Sequence, residues 1–120
     1  MLLVRAGCAT LTHYNITYPM GLLYLAAAVR RELGAEVRIV DGRFPWNGRN
    51  RILEELRSFR PEIVGISALT QDAPAMHAIA RWVREAAPEV FVIVGGAHPT
   101  VFPAKTIADE NIDATVVGEG

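Results

Sequence analysis

Short apolar runs alternate with segments of helical apolar spacing along the whole chain. Residues 2–6 are apolar apart from Arg5 and stop at Gly7, which predicts a strand buried on both faces. Pro19 then opens a segment in which Leu22, Leu23, Leu25, Ala26, Val29 and Leu33 recur at helical spacing, with Gly34 as its cap. Residues 37–40 are β-branched apart from Arg38 and end at the turn signal Asp41-Gly42, so they predict a second strand. After a loop at 43–48, Ile52, Leu53, Leu56 and Phe59 predict a second helix that Pro61 stops. Residues 63–66 form a third strand ending at Ser67. A third helix spans 72–87, with Met76, Ile79, Ala80 and Val83 on one face, Asp72 as N-cap and Pro74 in the first turn. Residues 90–94 carry the strongest strand signal and end at Gly95-Gly96. A short helix at 104–110 and a fifth strand at 114–117 complete the pattern.

Strands and helices in strict alternation, joined by connections long enough to cross over, imply a parallel sheet with helices on both faces. The predicted class is α/β: a flavodoxin-like (Rossmann-like), doubly wound, five-stranded sheet in the order 2-1-3-4-5. In that order the winding reverses between the first and third strands and opens a crevice at their carboxyl ends. The loops after strands one, three and four are therefore the expected site. A chain of 120 residues accommodates one such domain.

Charge narrows the partners. Twelve Lys and Arg against thirteen Asp and Glu leave a formal net charge of −1, and the most basic run, 49–57, is interrupted by Glu54 and Glu55. Nucleic acid is not an expected partner. Cys8 is the single cysteine, so the chain cannot form an internal disulfide or supply several thiolates to zinc or an iron–sulfur cluster. A reducing cytoplasm is the expected setting. No apolar run approaches the roughly 20 residues of a membrane span, and the apolar start reads as a buried strand rather than a leader.

The loop Ser67-Ala68-Leu69-Thr70-Gln71-Asp72 is small and hydroxylated where the crevice should lie. Its hydroxyls can meet a ligand's amides or phosphate, or simply satisfy local backbone groups before a helix. Gly95-Gly96, followed by Ala97-His98-Pro99-Thr100, permits a turn with positive φ and leaves no side chain above the strand end. A bulky ligand can then lie against the backbone, although the same pair also serves an ordinary tight turn. His13 and His98 fall in carboxyl-end loops, where an imidazole can ligate a metal or donate to a ligand, or stand as a polar surface group. His77 reads as solvated. Neither a Gly-x-x-x-x-Gly-Lys-Ser/Thr run nor a Gly-x-Gly-x-x-Gly run occurs. Asp41 and Asp72 lack the clustered carboxylates and lysine of a phosphoacceptor site, and no nucleophile pattern stands out. No catalytic residue and no metal ligand is assigned.

With these loops placed, the sequence resembles the N-terminal cobalamin-binding domain of B12-dependent radical SAM enzymes, such as the anaerobic magnesium-protoporphyrin IX monomethyl ester cyclases. The resemblance covers nearly the whole chain. It rests on Tyr18-Pro19-Met20-Gly21-Leu22-Leu23-Tyr24-Leu25-Ala26, Val64-Gly65-Ile66-Ser67, Val94-Gly95-Gly96-Ala97-His98-Pro99-Thr100 and Val117-Gly118-Glu119-Gly120, in that order. It implies a corrin over the carboxyl edge, with its nucleotide tail between the first and third strands. By the resemblance, Ser67, Leu69 and Thr70 line the tail, and Gly95, Gly96, Ala97 and His98 pass close to tail or corrin. Methionine-synthase-like relatives carry an Asp-x-His-x-x-Gly motif after the first strand, whose histidine ligates cobalt. Around His13, Leu11 stands where Asp is needed and Ile16 where Gly is needed. The departure implies cobalt without a protein histidine below it.

The resemblance also assigns the radical chemistry, with S-adenosylmethionine and a 4Fe–4S cluster, to a second domain with a three-cysteine motif. Residues 1–120 are thus expected to be a cobalamin-binding domain excised from a longer methyltransferase or cyclase, with the radical SAM catalytic domain as its partner in cis. Two alternatives stay open: another cofactor or nucleotide in the same crevice, and a cofactor-free domain that covers the catalytic barrel or recognises substrate.

Overall fold

The computed structural model describes residues 1–7 and 17–119. Five strands, β1 (Leu2–Arg5), β2 (Arg38–Asp41), β3 (Ile63–Ser67), β4 (Phe91–Gly95) and β5 (Ala114–Thr115), pair in parallel in the order β2-β1-β3-β4-β5. The expected doubly wound order is present. Helices α1 (Met20–Leu33), α2 (Arg49–Phe59), α3 (Ala73–Ala86), α4 (Ala97–Val101) and α5 (Pro103–Ile107) fill the crossovers, with 3₁₀ turns at Pro45–Asn47 and Thr70–Asp72. Among the described residues no helix is long and apolar enough to cross a membrane.

Side chains alternate across the central strands, as a sheet buried on both faces requires. Leu2 and Val4 of β1, Val64 and Ile66 of β3, and Val92 and Val94 of β4 meet Ile52, Leu53 and Leu56 of α2 and Met76, Ile79, Ala80 and Val83 of α3 in one large core. Full burial of each such side chain stabilises the fold by about 1.5–3 kcal/mol. On the opposite face Leu3 packs with Leu22 and Ala26 of α1 and with Val37 in a separate, smaller cluster. The two cores are unequal, and the thinner one lies beneath α1.

Local signals end the helices. Gly34 takes φ +62° after α1 and its N–H donates to the Arg30 carbonyl; Arg60 closes α2 at φ +47°, ahead of Pro61. Other expectations shift. The helix expected at 104–110 is replaced by the pair α4 and α5, beginning immediately after Gly96, and the last strand holds two residues rather than four. Asp72 precedes α3 but makes no capping hydrogen bond.

Candidate functional site

Strands β1 and β3 are neighbours, yet the chain leaves β1 toward β2 and leaves β3 toward β4, so their exits diverge at the carboxyl edge. A cleft of about 840 Å³ runs from that edge down the α1 face of the sheet. Its floor follows the register of the central strands. Leu3, Gly65 and Ile93 are lateral partners on β1, β3 and β4, and the glycine leaves a dip between two apolar side chains. A Cβ at Gly65 would approach Leu3 Cδ2 to 2.8 Å. Leu22 and Leu25 of α1 form one wall, and Ser67, Gly95, Gly96, Ala97 and Thr100 form the mouth. Leu3, Gly65 and Ile93 of the floor, Leu22 and Leu25 of the wall and Thr100 of the mouth were not among the site residues expected from the sequence; for Gly65 a glycine inside a strand, in Val64-Gly65-Ile66, was the available signal.

The mouth is built by bonds between the loops after β3 and β4. Ala68 donates its N–H to the Gly95 carbonyl at 3.1 Å, and its own carbonyl accepts from the His98 N–H at 3.1 Å. Thr100 Oγ1 donates to the Gly96 carbonyl at 2.8 Å and accepts from the Gly118 N–H at 3.1 Å. Gly96 has φ +100°, and a Cβ there would meet the Ala68 carbonyl oxygen at 2.9 Å and Ser67 Oγ at 3.1 Å. Its glycine is thus required by the protein's own loops. At Gly95 a Cβ would meet only Val116 Cβ, at 3.6 Å. Of the two glycines, Gly95 is the one at which a side chain has room.

Four of the seven expected site residues, Ser67, Gly95, Gly96 and Ala97, therefore line one cleft. Leu69 and Thr70 lie exposed on the connection above it, outside its lining. His98 is buried, 7% exposed, with its ring 5.2 Å from that of Phe102; it does not line the cleft, and its Nδ1 has no hydrogen-bond partner. His13 lies outside the described residues. His77 is half-buried rather than solvated, with Nδ1 2.5 Å from Asp109 Oδ2.

Charged groups converge on the carboxyl ends of β1, β2 and β3. Arg5 pairs with Asp72 at 3.0 Å, and Arg43 grips Asp41 with its closest contact at 2.6 Å. Burial alone would raise the Asp41 pKa, but hydrogen bonds and charge from Arg43 more than offset it and hold the carboxyl below its ordinary range. Arg43 Nη2 also donates to the Thr17 carbonyl at 2.7 Å. These four charges cancel one another in pairs. Among the described residues no group of three or more His, Cys, Asp or Glu side chains is arranged to hold a metal ion.

A family model described as the B12 binding domain matches residues 7–120. The chain is 32% identical to cytidylyl-2-hydroxyethylphosphonate methyltransferase of Streptomyces wedmorensis over 93% of its own length and 25% of that protein's. It is 38% identical to an uncharacterized methyltransferase of Pyrococcus horikoshii over 85% of its length and 22% of that protein's. It is 26% identical to the anaerobic magnesium-protoporphyrin IX monomethyl ester cyclase of Cereibacter sphaeroides over 85% of its length and 17% of that protein's. The chain thus spans a quarter or less of the length of these relatives.

Proposed function

The chain belongs to the B12 binding domain family, and on that premise we propose that it is the cofactor domain of a radical SAM methyltransferase or cyclase, holding cobalamin at the carboxyl edge of its sheet. The observation that carries this reading is the cleft beneath α1, apolar along its floor and, among the described residues, edged by the small Ser67, Gly95, Gly96 and Ala97 at its mouth. Its volume, about 840 Å³, lies within the range of small-molecule sites. It suits a nucleotide tail; a whole corrinoid is too large for it, so the corrin would lie across the rim.

The residues fit that division. Leu3, Gly65 and Ile93 would face the tail's base, with Ser67 Oγ and the bare backbone at Gly95 nearer the mouth. Leu69 and Thr70 would meet the tail where it enters, and Ala97 would face the corrin from the rim. His98 would act indirectly, its buried ring packing against Phe102 and its N–H holding the Ala68 carbonyl. Bound cobalamin would supply methyl-transfer or one-electron chemistry at its cobalt. S-adenosylmethionine and a 4Fe–4S cluster would belong to a catalytic domain in cis, in keeping with longer relatives, named methyltransferases and a cyclase, of which the chain spans a quarter or less. The setting would be the cytoplasm.

Visible spectra after mixing and desalting test this. The chain should retain hydroxocobalamin, retain cobinamide (which lacks the tail) more weakly, and release flavin mononucleotide and ATP. Retention of flavin or nucleotide in place of cobalamin would favour another cofactor in the same crevice. Retention of none would leave a cofactor-free domain.

A further inference from the structure

Arg5 is the one charged residue of β1, and its guanidinium lies beside the cleft mouth in a position no ordinary strand end requires. Nη2 donates to Asp72 Oδ2 at 3.0 Å, with the two side chains 12% and 7% exposed. Nη1 donates to the Ala6 carbonyl at 2.6 Å and to the Ser67 carbonyl at 3.2 Å. The Ser67 carbonyl also accepts the Ala6 N–H at 2.8 Å, extending the ladder between β1 and β3. One guanidinium thus joins the end of β1, the last peptide of β3 and the residue preceding α3.

We infer that Arg5 and Asp72 are positioning residues for the cofactor cleft: they cinch the β3–α3 connection and hold Leu69 and Thr70 in place above Ser67 at its mouth. The inference rests on the cobalamin reading above. The connection is held from two sides. Toward β4, Ala68 exchanges bonds with Gly95 and His98; toward β1, the Ala6 N–H holds the Ser67 carbonyl, and beyond Ser67 only Arg5 reaches the connection among the described residues, at Asp72. Without Arg5 the stretch between Ser67 and Asp72 would be anchored on the β4 side alone. Stability by itself does not account for the pair, because apolar side chains of similar volume often replace a buried ion pair without loss. Attraction of the tail's phosphate does not account for it either, because Asp72 already neutralises the guanidinium. What remains is placement of the loop.

Single substitutions would leave one buried partner unpaired, so the decisive variant is Arg5→Met/Asp72→Leu, which removes both charges together. Two measurements on the chain decide. The preference for cobalamin over cobinamide should fall about tenfold in the double variant, equivalent to about 1.4 kcal/mol, with cobinamide affinity unchanged. Without cofactor, amide exchange at Ala68 and Asp72 should quicken by about the same factor, while the amides of β4 keep their protection. If the unaltered chain prefers cobalamin and the double variant keeps that preference, the inference is overturned and the cobalamin reading stands. If the unaltered chain shows no preference, the tail reading falls, and amide exchange alone decides: faster exchange upholds the clasp, and unchanged exchange overturns it.

Discussion

Gly95 and Gly96 are adjacent, yet an added methyl group would meet different things at each. At Gly96 it would press on the Ala68 backbone from a left-handed conformation, whereas at Gly95 it would stand in the cleft in ordinary contact with Val116. Gly96→Ala should therefore destabilise the fold by about 1–3 kcal/mol, the usual size of such backbone strain. Gly95→Ala should leave stability within about 0.5 kcal/mol, as at sites free of special constraint, and weaken cobalamin retention. Urea unfolding of the two variants checks this, and equal destabilisation would show that both glycines serve the fold alone. Ser67 offers the complementary probe. Ser67→Ala should weaken cobalamin binding by about 0.5–1.5 kcal/mol if one neutral hydrogen bond is lost. Ser67→Leu should weaken it far more by filling the mouth, while leaving the weaker cobinamide binding nearly unchanged. Equal losses for both ligands in folded Ser67→Leu would mean that the tail does not pass Ser67.

Among the elements, β5 is two residues long and owes its place to contacts outside its own ladder. Asp113 accepts the Val92 N–H at 2.7 Å and pairs with Arg84 at 2.7 Å, and its N–H donates to the Val92 carbonyl at 2.9 Å. Asp113→Ala should cost about 1.5–3 kcal/mol of local stability, the scale of hydrogen bonds to a charged group. Hydrogen exchange at the Val116 amide, which bonds to the Val94 carbonyl, should quicken while exchange at Ala6 does not. Parallel loss at both amides would make Asp113 a support of the whole sheet instead. The same scale separates what was legible in the sequence from what was not. Apolar runs such as 90–94 and the helical stripe Met76, Ile79, Ala80, Val83 are local patterns, and they predicted the sheet order and the main core. The α1 stripe was legible as a helix but not as a wall: of its six apolar positions only Leu22 and Ala26 are buried, and Leu22 and Leu25 line the cleft. Arg5–Asp72 and His77–Asp109 join residues 67 and 32 positions apart, and no local pattern encodes such pairs. Ser67, Gly95, Gly96 and Ala97 were legible because they lie at or just past strand ends, and topology alone brings strand ends together.

At the scale of the whole molecule, acid and ligand should act on stability in opposite directions. Burial would raise Asp109, but the Asn111 N–H and then His77 hold it below its ordinary 3.8; the Val92 N–H, against slight burial, and then Arg84 lower Asp113. With Asp41 also lowered, each of these carboxyls binds its proton more readily in the unfolded chain. Their contribution is complete above the unfolded value and is lost as pH falls through the lower folded values. The urea midpoint should thus drop from about pH 5 downward, more shallowly in Asp113→Asn, and an equal slope in that variant would discount Asp113. Cobalamin should do the reverse, and unevenly. A ligand that binds only the folded state stabilises it by about 2.7 kcal/mol at a hundredfold excess over its dissociation constant. The gain should concentrate where the ligand replaces missing core. Beneath α1 that core is the small cluster of Leu3, Leu22, Ala26 and Val37, bordered by the cleft, whereas α2 and α3 pack on the large one. Amides in the middle of α1 should therefore be the ones most slowed in hydrogen exchange by cobalamin, with α3 little changed and cobinamide nearly without effect on either. If cobalamin binds and protects α3 as much as α1, the tail does not enter beneath α1, and the cleft is not where the cofactor is held.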